Sequence, residues 1–76
     1  MNKERRKRIE DITGKIRDLL TELEECKDEE EEYKDNMPEN LQGSERYERA
    51  EECVDNLEMA IDEIESALEE IDNAIE

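Results

Sequence analysis

"NMPENLQGS", residues 36–44, holds the only proline of the chain, Pro38, and one of its two glycines, Gly43. On both sides the sequence is dense in Glu, Lys, Leu, Ile and Ala, most of them good helix formers. Pro38 lacks the amide hydrogen that a helix interior uses, and its ring biases Met37 away from helical geometry. A helix arriving from the N-terminal side must therefore stop near Asn36. Gly43 supplies backbone freedom, and Ser44 suits the N-cap of a second helix, with Glu45 in the first turn where the helix dipole favours an acid. The stretch reads as the connector of an αα-hairpin: helix over 3–36, turn over 37–43, helix over 44–75.

The apolar spacing supports that reading. Ile9, Ile12, Ile16, Leu19, Leu23, Cys26, Glu30, Tyr33 and Met37 alternate steps of three and four, the seam of a heptad pattern with Glu30 as its one breach. Tyr47, Ala50, Val54, Leu57, Ile61, Ile64, Leu68, Ile71 and Ile75 do the same, and "DNLEMAI", "DEIESAL" and "EEIDNAI" form a seven-residue repeat over 55–75. Pairing Ile9 with Ile71, Ile16 with Ile64 and Leu23 with Leu57 keeps the residue numbers at a constant sum of 80, which centres the turn on residue 40. The predicted fold is all-α: an antiparallel two-helix coiled-coil hairpin. In this register Tyr33 meets Tyr47, Lys27 flanks Glu51, and the thiols of Cys26 and Cys53 lie near each other as ordinary buried cysteines.

Composition narrows the functions. There are 27 Asp and Glu against 11 Lys and Arg, a net charge of −16, which disfavours nucleic acid and anionic membrane as direct partners. No apolar run approaches the ~20 residues of a bilayer span. "MNKERRKRIE" starts basic but has no apolar segment after it, so no signal peptide is expected and the cytoplasm is the expected location. Histidine is absent, which removes the usual neutral-pH base and metal ligand. Two cysteines far apart in sequence make no zinc motif, and no phosphate-binding glycine loop or nucleophile elbow occurs. Neither an enzyme nor a cofactor is expected.

Two surfaces stand out. Cys53, Ala60, Ala67 and Ala74 recur every seven residues beside the seam of the second helix, which widens its apolar arc and lets another helix approach closely. They are the expected self-association contact, dimerising the hairpin into a four-helix bundle. The other reading is that the aliphatic stems of Arg8 and Lys15 cover them. The second surface is acidic. Residues 50–76 carry eleven carboxylates and no Lys or Arg, and Glu51, Asp55, Glu58, Asp62, Glu65, Glu69, Asp72 and Glu76 follow one another every three or four positions, roughly 5 Å apart on a helix. That approaches the charge spacing of a nucleic-acid backbone, although a solubilising face has the same appearance.

"YKDNMPENLQGSERYERAEECVDNLEMAIDEIESALEEI", with the "MNKERRKRI" start, resembles a family of small acidic helical proteins of Firmicutes and their phages and prophages. The resemblance implies a phage or prophage setting, in which small acidic proteins often inhibit host defence by imitating nucleic acid. The leading expectation is therefore a non-enzymatic interaction protein in the bacterial cytoplasm. Glu51, Asp55, Glu58, Asp62, Glu65, Glu69 and Asp72 would engage a basic nucleic-acid-binding host protein. Alternatives are an oligomeric coiled-coil adaptor or virion-associated protein using the alanine stripe and, with less support, a small-molecule sponge with its pocket at an oligomer interface.

Overall fold

The structure, a computed structural model of residues 1–76, is a helical hairpin with principal extents of 60 × 15 × 13 Å. Helix α1 spans Lys3–Asp35 and helix α2 spans Glu45–Ile75, with one 3-10 turn, Glu39–Leu41, between them. Each helix begins on the polar residue that its sequence offers. The Asn2 side chain accepts from the Arg5 amide at 2.7 Å, and Ser44 Oγ accepts from the Tyr47 amide at 3.3 Å. Asn36 closes α1, its amide donating to the Glu32 carbonyl at 2.9 Å.

The connector is held by its own backbone. The Leu41 amide donates to the Pro38 carbonyl at 2.8 Å, Gln42 to Glu39 at 3.2 Å, and Ser44 to Leu41 at 3.0 Å. Pro38 sits where its missing N–H costs nothing, just ahead of the 3-10 turn. Gly43 has φ +90°, a conformation that side-chain-bearing residues rarely adopt. Met37 is buried beneath the turn and closes this end of the core, whereas Leu41 stays 42% exposed.

The rotation of α1 differs from the sequence-based seam. The inward-facing row of α1, continued by Met37 just beyond it, is Arg6, Ile9, Thr13, Ile16, Leu20, Leu23, Lys27, Glu30 and Lys34, all buried or half-buried, with Glu24 and Glu31 half-buried beside it. Every second predicted position has moved on by one: Thr13 replaces Ile12, Leu20 replaces Leu19, Lys27 replaces Cys26, and Lys34 replaces Tyr33. Steps of three and four satisfy either choice, so the spacing alone does not select. The observed rotation brings Lys27 beside Glu58 of α2, whereas Lys34 pairs with Asp35 of its own helix. On α2 the nine predicted seam positions are all buried or half-buried.

The register moves as well. Matched in antiparallel order, the nine inner positions from Ile9 to Met37 and the nine of α2 share a constant sum of 84 instead of 80, about one helical turn along α2. The Lys27–Glu58 ion pair, with a sum of 85, lies within one residue of that line, and it replaces the expected flanking pair of Lys27 with Glu51. Tyr33, 47% exposed, consequently does not meet Tyr47 in the core. Both cysteines are free and exposed, not the buried neighbours that a sum of 80 predicts.

The core is thin. Leu20, Ile61 and Leu68 form its centre, with Ile16, Leu23 and Ile64 packed against it, and only seven of 76 residues are buried. Thr13 is the most enclosed; its hydroxyl donates to the Ile9 carbonyl at 2.8 Å and so leaves no buried polar atom unpaired at that position.

The two glycines should respond oppositely to alanine. An added Cβ at Gly14 meets nothing within 4 Å, and the residue lies inside α1, so Gly14→Ala should stabilise by about 1 kcal/mol. Gly43→Ala must place a side chain at φ +90° and should destabilise by about 1 kcal/mol. Thermal unfolding followed by circular dichroism checks both, and equal shifts of the same sign would contradict this account of the turn.

Candidate interaction faces

Stepping back one residue from the inner row of a right-handed helix rotates around its axis by 100°. Because the two helices run in opposite directions, that step leads to the same side of the seam on both. The hairpin therefore has two distinct long faces, and the sequence loads them differently.

One face is charged. Glu24, Lys27, Asp28, Glu58, Ile61 and Asp62 line a shallow groove across the seam, and Arg17, Leu20, Thr21, Glu65, Leu68, Glu69 and Asp72 line the next one towards the open end. Asp55, Glu58, Asp62, Glu65, Glu69 and Asp72 are all exposed, as is Glu51 nearer the turn. At 3.5 residues per step these α2 carboxylates follow one another every ~5 Å. Glu24 and Asp28 of α1 stand across the groove from Glu58 and Asp62, so over this segment the acidic row is double.

Two cations interrupt it. Arg17 bonds Asp72 at 2.5 Å, with both side chains about half exposed, a setting worth roughly 0–1 kcal/mol. Lys27 Nζ lies 3.1 Å from Asp28, 3.7 Å from Glu31 and 3.9 Å from Glu58. The Lys27 ammonium is held above the ordinary lysine value of 10.5, first by its hydrogen bond to Asp28. Desolvation opposes the rise, and the charges of Asp28, Glu31 and Glu58 add to it. The basic cluster at Lys3, Arg5, Arg6, Lys7 and Arg8 makes no ion pair with the acidic end of α2, Glu69, Glu70, Asp72 and Glu76; Arg17–Asp72 is the bridge at that end.

The other face is uncharged along most of its length. On α2 it presents Cys53, Ala67 and Ala74, all exposed, and Ala60, half-buried. On α1 it presents Ile12, Leu19, Cys26 and Tyr33, the residues displaced from the predicted seam. Tyr33 and Arg46 share a groove near the turn, which confirms that the rows preceding the inner positions of both helices lie on one side. Sequence reasoning found the α2 half of this face. It missed the α1 half because those four residues fit the seam equally well by spacing.

No helix is long and apolar enough to cross a membrane. No group of three Cys, Asp or Glu side chains is arranged to hold a metal ion. No protein-family model, curated protein or solved structure matches the chain.

The raised Lys27 value carries a pH sign. Stabilisation from its charged form is fully present below the ordinary value of 10.5 and is lost as pH rises through the higher folded value. Asp28→Asn should bring the Lys27 titration furthest back towards 10.5, and Glu58→Gln less, as read from the Lys27 Cε chemical shift. A larger effect of Glu58→Gln would show that the cross-helix pair dominates.

Proposed function

We propose that the protein is a non-enzymatic interaction protein that presents its carboxylate face to a basic, nucleic-acid-binding partner and so competes with nucleic acid for it. The observation that carries this reading is the regular exposed row from Glu51 to Asp72, held on one face of a 60 Å hairpin and doubled by Glu24 and Asp28 beside Glu58 and Asp62. A partner built to neutralise phosphates at regular intervals meets carboxylates at a comparable spacing, already fixed by a helix. The resemblance to phage and prophage proteins directs the reading to host defence proteins such as restriction or CRISPR nucleases.

The chemistry suits a field of charge more than single anchors. Exposed carboxylates each contribute little, whereas many acting together steer association and release counterions from both surfaces. The alternative role, a coiled-coil adaptor, draws on the uncharged face and uses none of these carboxylates.

The experiment is competition with DNA for purified nucleases of these classes across a salt series. Affinity should fall steeply as salt rises. Asp55→Asn, Asp62→Asn, Glu65→Gln and Glu69→Gln combined should leave the helix content intact and weaken competition by about tenfold or more, while each alone changes it little. Salt-insensitive binding, indifferent to these four changes, would overturn the reading.

A further inference from the structure

We infer that two copies of the chain dock through the uncharged face, antiparallel across a twofold axis with their turns at opposite ends, to form a four-helix bundle. The inference is independent of the carboxylate face and of any partner bound there.

It begins with what the hairpin leaves outside. The row packed against α2 is Arg6, Thr13, Leu20, Lys27 and Lys34, with one large apolar residue in five; Thr13 and Leu20 are buried and the three cations half-buried. The row one position earlier is more apolar, yet Ile12 is 51% exposed, Leu19 64% and Tyr33 47%. A helix that turns threonine and lysines inward while exposing isoleucine, leucine and tyrosine has an apolar arc wider than a single neighbour can cover. Three apolar positions per heptad is the pattern of a helix with two neighbours in a bundle, not of a two-stranded seam.

The opposite helix completes the face. At a sum of 86, close to the register of the seam, Ile12 lies level with Ala74, Leu19 with Ala67, Cys26 with Ala60, and Tyr33 with Cys53. Large residues on α1 therefore stand beside small ones on α2 at every level. The face runs ~32 Å along the helices and is about 15 Å wide, on the order of 500 Å² per copy, at the ~1,000 Å² in total that a specific interface needs.

The charge pattern of α1 selects the direction of a second copy, while on α2 the paired rows are the uncharged Cys53, Ala60, Ala67 and Ala74. Residues 3–17 carry seven basic and three acidic groups; residues 18–35 carry ten acidic groups and two lysines. With the turns at the same end, the acidic halves of both copies would lie together. With the turns opposed, each basic segment lies along the acidic half of the partner's α1. The position just outside the apolar row repeats the same order: Arg8 and Lys15, then Glu22 and Glu29. A twofold axis level with residues 22–23 of α1 and 63–64 of α2 brings Ile12 against the partner's Tyr33 and Leu19 against the partner's Cys26. The same axis brings Cys53 against the partner's Ala74, and it places Lys15 beside the partner's Glu29. Both axis positions share the sum of 86, so one axis serves both helices.

The test is mass and crosslinking of the full chain. Light scattering should give about twice 9.1 kDa for the native protein and 9.1 kDa for Ile12→Glu/Leu19→Glu, with helix content retained because both side chains are exposed in the hairpin. Thr21→Glu, on the charged face, should leave the doubled mass unchanged. In a Cys53→Ser background, Leu19→Cys should form a disulfide dimer through Cys26 on mild oxidation, while Ala60→Cys should not; cysteines seven apart on one helix are too distant to close internally. A native mass of 9.1 kDa, or a dimer indifferent to Ile12→Glu/Leu19→Glu, would overturn the interface. Crosslinking through Ala60→Cys in place of Leu19→Cys would overturn the antiparallel arrangement.

Discussion

The acidic flank of α2 sets what the facing side of α1 has to supply. α2 offers α1 a continuous apolar row bordered on its exposed flank by Glu51, Glu58, Glu65 and Asp72, and beyond its first turns it has no cation of its own. The approaching face of α1 must supply positive charge as well as apolar surface. The observed rotation does so by turning Lys27 inward beside Glu58 and placing Arg17 beside Asp72, where long side chains lie along the seam and keep their charged ends in water. With Ile12, Leu19, Cys26 and Tyr33 inside instead, the seam would bury more hydrocarbon and leave the acidic flank without these cations.

That constraint explains which parts of the fold are legible in the sequence. The turn is legible because Pro38, Gly43 and Ser44 act locally: a missing N–H, a positive φ and a capping hydroxyl need no knowledge of the rest of the chain. The α2 seam is legible because only one choice of three-and-four steps collects its Val, Leu and Ile residues. The α1 seam is not, since Ile12 or Thr13 and Leu19 or Leu20 satisfy the same spacing. A register summing to 80 and one summing to 84 differ by a turn, and apolar matching alone tolerates both. Spacing measures a period, whereas rotation and register depend on side chains of the opposing helix.

The candidate faces show the same division. Exposure of Glu51 to Asp72 follows directly from their distance from the α2 seam. That Glu24 and Asp28 join them on one face, or that Tyr33 joins the alanine side, depends on the rotation of α1 and emerges only with the helices side by side. The two faces are then complementary in kind. One collects charge that favours separation in water, and the other collects the apolar residues that a two-helix core does not absorb.

The straightness of the acidic row is itself a product of packing. A free α-helix turns ~20° away from a strict seven-residue repeat in each heptad, so a row repeated over three heptads would wander through roughly 60° around an isolated α2. It would then cross from one face to another within the length of the hairpin. The inner positions of α1 and α2 stay opposed from Ile9 and Ile75 down to Met37 and Tyr47, which requires the helices to wind around each other and thereby removes the drift. Every row parallel to the seam is carried along with it. The carboxylates from Glu51 to Asp72 keep to one face for the same reason that Val54, Ile61 and Leu68 keep to the core. A change that loosens the seam without removing a single charge would therefore scatter the acidic face as surely as neutralising it.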